Sequence, residues 1–144
     1  MSDIRLGILS DEKLDYLTVV SLMRLADARG LTKVIFANGD VGRLDEGRNR
    51  VAGEFLKSGA EWLLWVDTDM EFTPLDFDNL MARKAPIVSG LYYRASDPPT
   101  ACMMRYKDGR AQVVRDWPKN KTISVDSAGF GFMLTRREVF EKML

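Results

Sequence analysis

Five apolar residues followed at once by two carboxylates, Trp62-Leu63-Leu64-Trp65-Val66-Asp67-Thr68-Asp69, constrain this chain more than any other segment. A half-exposed strand alternates apolar and polar residues; this run does not alternate, so the strand it predicts is buried on both faces. Such a strand needs a sheet interior with helices packed above and below it. The carboxylates then emerge at the strand's carboxyl end, the rim at which open α/β sheets bind their ligands.

The flanking pattern supplies the layers. Residues 4–9 and 33–37 read as strands. Over 13–29, Leu14, Leu17, Leu22, Leu25 and Ala28 recur at helical spacing, and Gly30 provides the stop. A second helix covers 44–57, with Val51, Ala52, Phe55 and Leu56 inward and Gly59 beyond its end. After Pro74 a short helix over 75–83 leads into a fourth strand over 87–90. This alternation predicts an α/β fold with a mostly parallel sheet and helices on both faces. The second half differs. It predicts a small antiparallel hairpin, 101–106 with 111–115, turned at Asp108-Gly109. Short strands follow over 122–125 and 130–134, then a helix over 135–143 with Thr135 and Glu138 at capping-box spacing.

Composition narrows the chemistry. At 144 residues, 46% of them hydrophobic, the chain is sized for one core, and a single domain over 1–144 is expected. Lys+Arg and Asp+Glu both number 21, so no overall positive excess exists to displace counterions from nucleic-acid phosphates. No histidine is present, which excludes Ser-His-Asp and Cys-His catalysis and any His-ligated metal. The lone Cys102 excludes a disulfide framework and a cysteine-cluster zinc site. No apolar run approaches the roughly 20 residues of a membrane span. The opening Met1-Ser2-Asp3-Ile4-Arg5 lacks a signal-peptide layout, so the expected address is a reducing cytoplasm.

Two Asp residues at alternate positions can share a hard divalent cation, Mg2+ or Mn2+, directly or through water. Close like charges repel, so without a cation or a donor network at least one should titrate abnormally. The competing reading is a strand-end turn whose acids are merely solvated. The position after a buried strand within alternating βα units favours the metal.

Several ordered segments together resemble the GT-A fold glycosyltransferases, which use nucleotide-sugar donors. Ile8-Leu9-Ser10 is similar to their first strand with its polar end, and Asp40 to the acid closing their second. Gly47-Arg48-Asn49-Arg50 opens a helix as theirs does. Gly59-Ala60-Glu61 through Asp69 resembles their small-residue turn, apolar strand and DxD motif, and residues 126–140 their Gly-rich strand leading into a helix. The likeness is closest to short phage- or bacterial-type, family-2-like members and spans nearly the whole chain.

That resemblance implies a GT-A, Rossmann-like sheet and transfer of a sugar from a UDP- or GDP-type donor with Mn2+ or Mg2+. It makes Asp69 the direct metal ligand and Asp67 the acid that reaches the ribose, or the metal through water. It assigns Asp40 to the donor base, Arg48 and the adjacent Asn49 to base or diphosphate, and Ser10 to the base. Each has an ordinary alternative: Asp40 closing an Asn-Gly-Asp turn, Arg48 solvated, Ser10 capping the next helix. On the acceptor or sugar side stand Tyr92, Tyr93 and Arg94 after the fourth strand, the rings to stack on a sugar and the arginine to meet a phosphate, together with Asp126, Gly129 and Gly131, and Trp117 as a platform. Tyr93 and Arg94 read equally as a half-buried strand terminus, and Phe130 and Phe132 read as core. The acceptor itself is not specified.

The chain departs from the family in one respect. Relatives continue into an acidic motif supplying the inverting base and a later metal-binding histidine; this sequence stops at Leu144. It is expected to be truncated or minimal at its C-terminus, with Asp126 and Glu138 the remaining candidates for a base. Two rivals stand beside transfer. A nucleotide-sugar-binding module without turnover is one. The other is a haloacid-dehalogenase-type phosphatase, which would use Asp67 as nucleophile but ordinarily has Thr or Val where this chain has Glu71. A nucleotidyltransferase is disfavoured because no glycine-rich, lysine-containing loop follows Ser10.

Overall fold

A computed structural model describes residues 3–11, 13–39 and 43–143. The elements in chain order are β1 (Ile4–Ser10), α1 (Tyr16–Arg29), β2 (Val34–Asn38), α2 (Leu44–Ser58), β3 (Trp62–Val66), α3 (Pro74–Ala82) and β4 (Ile87–Ser89). There follow β5 (Tyr93–Arg94), β6 (Thr100–Ala101), β7 (Met103–Lys107), β8 (Arg110–Val113), β9 (Ser127–Ala128), β10 (Phe132–Arg136) and α4 (Arg137–Glu141).

The main sheet has the order β2-β1-β3-β10-β4. Strand β1 pairs in parallel with β2 and β3, whereas β10 is antiparallel to both β3 and β4. The mostly parallel GT-A sheet expected above is thereby corrected: only two of the four pairings are parallel, and the sheet is mixed. The cause is the return of the chain. A parallel neighbour needs a crossover, usually a helix. The segment between β4 and β10 instead builds the small antiparallel sheets β5-β6 and β8-β7-β9, and the chain re-enters between β3 and β4 from the opposite end.

Strand β3 feeds two cores. Trp62, Leu64 and Val66 join Ile4, Leu6, Ile8 and Leu134 on one face, under Leu25 of α1 and Phe77 and Leu80 of α3. Leu63 and Trp65 join Ala37 and Met133 on the other, under Val51 and Phe55 of α2, with Phe140 of α4 at the margin. Each fully buried large side chain contributes roughly 1.5–3 kcal/mol, and all five of β3 are buried. Gly7 lets α2 approach the sheet; a Cβ there would lie 2.8 Å from Val51 Cγ1 and 3.1 Å from Leu63 Cδ1.

Three local expectations fail for identifiable reasons. The buried face of α1 is Thr18, Ser21 and Leu25, while Leu17 is 51% exposed; the hydroxyls are turned inward because a loop bonds to them, as shown below. Thr135 does not cap a helix but lies buried in β10 between Leu63 and Ile87, and the N-cap of α4 is Arg136. Residues 122–125 form no strand; the pairing with β7 falls instead on Ser127 and Ala128. Among the described residues no helix is long and apolar enough to cross a membrane.

Candidate functional site at the sheet rim

Because β10 runs against its neighbours, its first residues meet the carboxyl ends of β3 and β4 at one rim. The Asp67 N–H donates to Gly131 O at 2.9 Å and the Gly90 N–H to Phe132 O at 2.9 Å, closing the ladder there. The chain leaves the sheet at Asp67 and turns through Thr68 and Asp69, leaving Asp67 partly buried and Asp69 exposed.

Helix α1 holds this turn in place. Thr68 O accepts from the Asp15 N–H at 2.9 Å and from Thr18 Oγ1 at 2.9 Å. The Phe72 N–H donates to Ser21 Oγ at 3.0 Å. Two buried hydroxyls one helical turn apart thus fix both ends of the segment bearing the aspartates. Sequence reasoning missed them; the signal was a pair of hydroxyls, three residues apart, inside an otherwise apolar helix. Replacing Thr18 with the near-isosteric Val should remove one bond and leave a buried hydroxyl site apolar. A loss of about 1–2 kcal/mol in urea unfolding is expected.

The electrostatics centre on Asp67. Burial pushes its carboxyl above the ordinary carboxylate value; the Arg48 charge opposes this and the Asp69 charge adds to it. The Arg48 guanidinium carbon stands 4.6 Å over the Phe130 ring, which packs edge-on against Trp65 with ring centroids 5.3 Å apart. Phe130 is therefore core on one side and a platform for Arg48 on the other. Trp65 Nε1 is buried without a hydrogen-bond partner among the described residues.

Tyr92, the first of the Tyr92-Tyr93-Arg94 run that the sequence singles out after the fourth strand, packs at this rim. Its Oη accepts from the Gly131 N–H at 2.9 Å. A Cβ on Gly129 would fall inside the contact radius of that oxygen, and one on Gly131 would lie 2.9 Å from Tyr92 Cζ. The space left by the two glycines therefore holds the protein's own phenol. Burial raises the Tyr92 phenol, the Gly131 N–H opposes that, and Cys102 and Asp67 raise it further. Tyr92 thus stands within electrostatic reach of the carboxylate turn.

The other sequence candidates are dispersed. Ser10 ends β1 at the rim, but its Oγ donates to Lys13 O at 3.0 Å and its carbonyl accepts from the Gly39 N–H at 3.1 Å. Asn49 is exposed beside Arg48 on α2. Asp40 lies outside the described residues. Tyr93 is half-exposed, 6.5 Å from Trp117 between ring centroids, and Arg94 is exposed. Asp126 Oδ2 accepts from the Tyr106 N–H at 2.8 Å, bracing the β7 strand instead of facing Asp67. Glu138 sits at the opposite rim, paired with Arg136 and Lys142. Arg136 is in register with Trp62, and five strand residues span about 13 Å or more, so Glu138 does not reach Asp67. Glu138 is therefore not at the turn, and Asp126 is engaged with the β7 backbone.

Among the described residues no group of three or more Asp, Glu or Cys is arranged to hold a metal. Asp67 and Asp69 are two carboxylates on one turn, the first partly buried and the second exposed. Mg2+ is commonly held by one or two carboxylates, with substrate phosphates and water completing its shell.

What these observations define is a mixed three-layer α/β fold with a carboxylate turn at its rim. The backbone is similar to the crystal structure of A197 from STIV, with a TM-score of 0.66 over 97% of this chain and 68% of that one. Sequence identity is 18%, so the likeness concerns the fold alone. No sequence profile of a known family matches the chain, and no curated protein matches it.

Proposed function

We propose that this chain binds a nucleoside-diphosphate sugar, of UDP or GDP type, through Mn2+ or Mg2+ held by Asp67 and Asp69, and transfers the sugar to an acceptor. The observation carrying this reading is a partly buried carboxylate at a sheet rim, with a second carboxylate and an arginine beside it. A cation there would neutralise charge on a departing diphosphate. The remaining work falls to the protein. Arg48, its guanidinium plane set by Phe130, is placed to meet a phosphate or the base edge. Asn49 and Ser10 border the same rim, and Asp40 would accept from the base. Tyr92, bonded to the Gly131 N–H, stands close enough to Asp67 to feel its charge. Tyr93 and Arg94 lie toward the acceptor. Asp126, Gly129 and Glu138 have the structural tasks described above and are assigned no part in the chemistry. The free Cys102 suits action in a reducing cytoplasm.

A second reading has one observation in its favour. Both sequence candidates for a base are engaged elsewhere, which favours a module that binds nucleotide sugar without turning it over.

The test is a thermal-shift series with UDP and GDP, each with and without Mn2+. Stabilisation by one nucleotide should appear only with the metal, about 2.7 kcal/mol at a hundredfold excess over Kd. No metal-dependent shift at millimolar nucleotide would overturn the proposal, as would a phospho-aspartate trapped at Asp67. Metal-dependent binding without release of the sugar from the donor would select the second reading.

A further inference from the structure

We infer that the small-sheet lobe beside the carboxylate turn binds an anionic oligosaccharide, with the cleft between Tyr93 and Trp117 as its stacking subsite and Arg115 as its carboxylate anchor. That this saccharide is the acceptor rests on the transfer reading above; that it binds does not.

The overall charge balance conceals a segregation. Residues 94–121 carry seven Lys and Arg against three Asp and no Glu, an excess of four positive charges that the rest of the chain offsets. Among the described residues the ion pairs lie outside this segment. All seven cations are exposed. Unneutralised charge concentrated on one lobe attracts a polyanion.

The lobe also holds a built feature. Tyr93, Thr100, Val113, Arg115 and Trp117 line a cleft of about 110 Å³. Its two rings stand 6.5 Å apart at 43° to each other. The exposed face of either ring is a wall on which the apolar face of a sugar ring can lie. The Arg115 guanidinium at the cleft offers the fork that pairs bidentately with a carboxylate. Tyr92 and Tyr93 are consecutive, one against Gly131 near Asp67 and the other in the cleft.

The experiment compares hexagalacturonate, neutral maltohexaose and a thymidylate hexamer by titration calorimetry and tryptophan fluorescence, without nucleotide or metal. Trp62 and Trp65 are 7% and 2% exposed, so an emission change reports Trp117. Hexagalacturonate should bind, change the emission, and weaken as salt rises from about 50 to about 500 mM. Arg115→Gln and Trp117→Ala should each lower its affinity at least about tenfold with Tm retained, while Lys142→Gln, at the far rim, should not. Equal or tighter binding of maltohexaose or the thymidylate hexamer would overturn the inference, as would no binding or indifference to both cleft substitutions. Since the nucleotide and metal are absent, failure here leaves the donor-site proposal standing, and failure of that proposal leaves this one standing.

Discussion

Gly129→Ala is expected to lower the unfolding free energy by roughly 2–4 kcal/mol, a combination of overpacking and a broken hydrogen bond. That is a large part of the 5–15 kcal/mol typical of domains. The added Cβ would collide with Tyr92 Oη, lie 3.0 Å from Tyr92 Cζ and 3.4 Å from Cys102 Cβ. What holds the ring over Gly131 is the bond from the Gly131 N–H to its Oη at 2.9 Å. The backbone cannot give way easily, because the Gly129 N–H is bonded to Cys102 O at 3.0 Å. The phenol must therefore move, losing its bond from Gly131. A double-mutant cycle checks the cause. Tyr92→Ala alone should destabilise by about 3 kcal/mol or more through the cavity it leaves. With Tyr92 gone the Gly129 methyl has room, so the double variant should cost much less than the two single variants together. Simple additivity in urea unfolding would dismiss the steric account.

The same pair of residues shows what could be read from the chain beforehand. Strand β3 and the turn after it were legible because an uninterrupted apolar run has one physical solution, burial on both faces. Strand direction was not. Phe132, Met133 and Leu134 are apolar whichever way they run, and what set β10 antiparallel was the long antiparallel excursion before it. Helix α1 misled for a related reason. Leu17 keeps helical spacing yet faces solvent, because the loop carrying the aspartates claims Thr18 and Ser21 as donors and acceptors. Gly129 was readable as a place where a side chain is forbidden, but the occupant of the space was 37 residues away in sequence. Periodicity carries no information about such a contact. Tyr92 and Tyr93 stood out together as rings after a strand end, but the chain alone does not say that Tyr92 packs over Gly131 while Tyr93 stays half-exposed.

Asp67→Asn and Asp69→Asn should separate binding from folding at the turn. In the folded chain burial holds the Asp67 carboxyl above its ordinary value of 3.8. The folded state therefore binds its proton more tightly than the unfolded chain does. Below both values the carboxyl is neutral in each state and nothing is lost. As pH rises through the raised folded value the ionised form is penalised only in the fold, so at neutral pH Asp67 destabilises the protein. The amide carries no charge, and Asp67→Asn should raise the Tm of the ligand-free protein at pH 7. The gain should shrink as the pH is lowered toward the ordinary aspartate value. The metal-dependent response should go the other way. A cation must displace the proton from Asp67, so Mn2+-dependent nucleotide binding weakens as acid protonates it. Asp67→Asn should abolish the nucleotide shift of about 2.7 kcal/mol expected at a hundredfold excess over Kd. Asp69 is exposed, so Asp69→Asn should leave ligand-free stability within about 0.5 kcal/mol while removing the same shift. A turn built only for structure would behave oppositely: Asp67→Asn would lower the Tm, and any nucleotide response would survive both substitutions. An aspartate held in a desolvated position at a cost to the fold is the arrangement expected where a cation is to be bound.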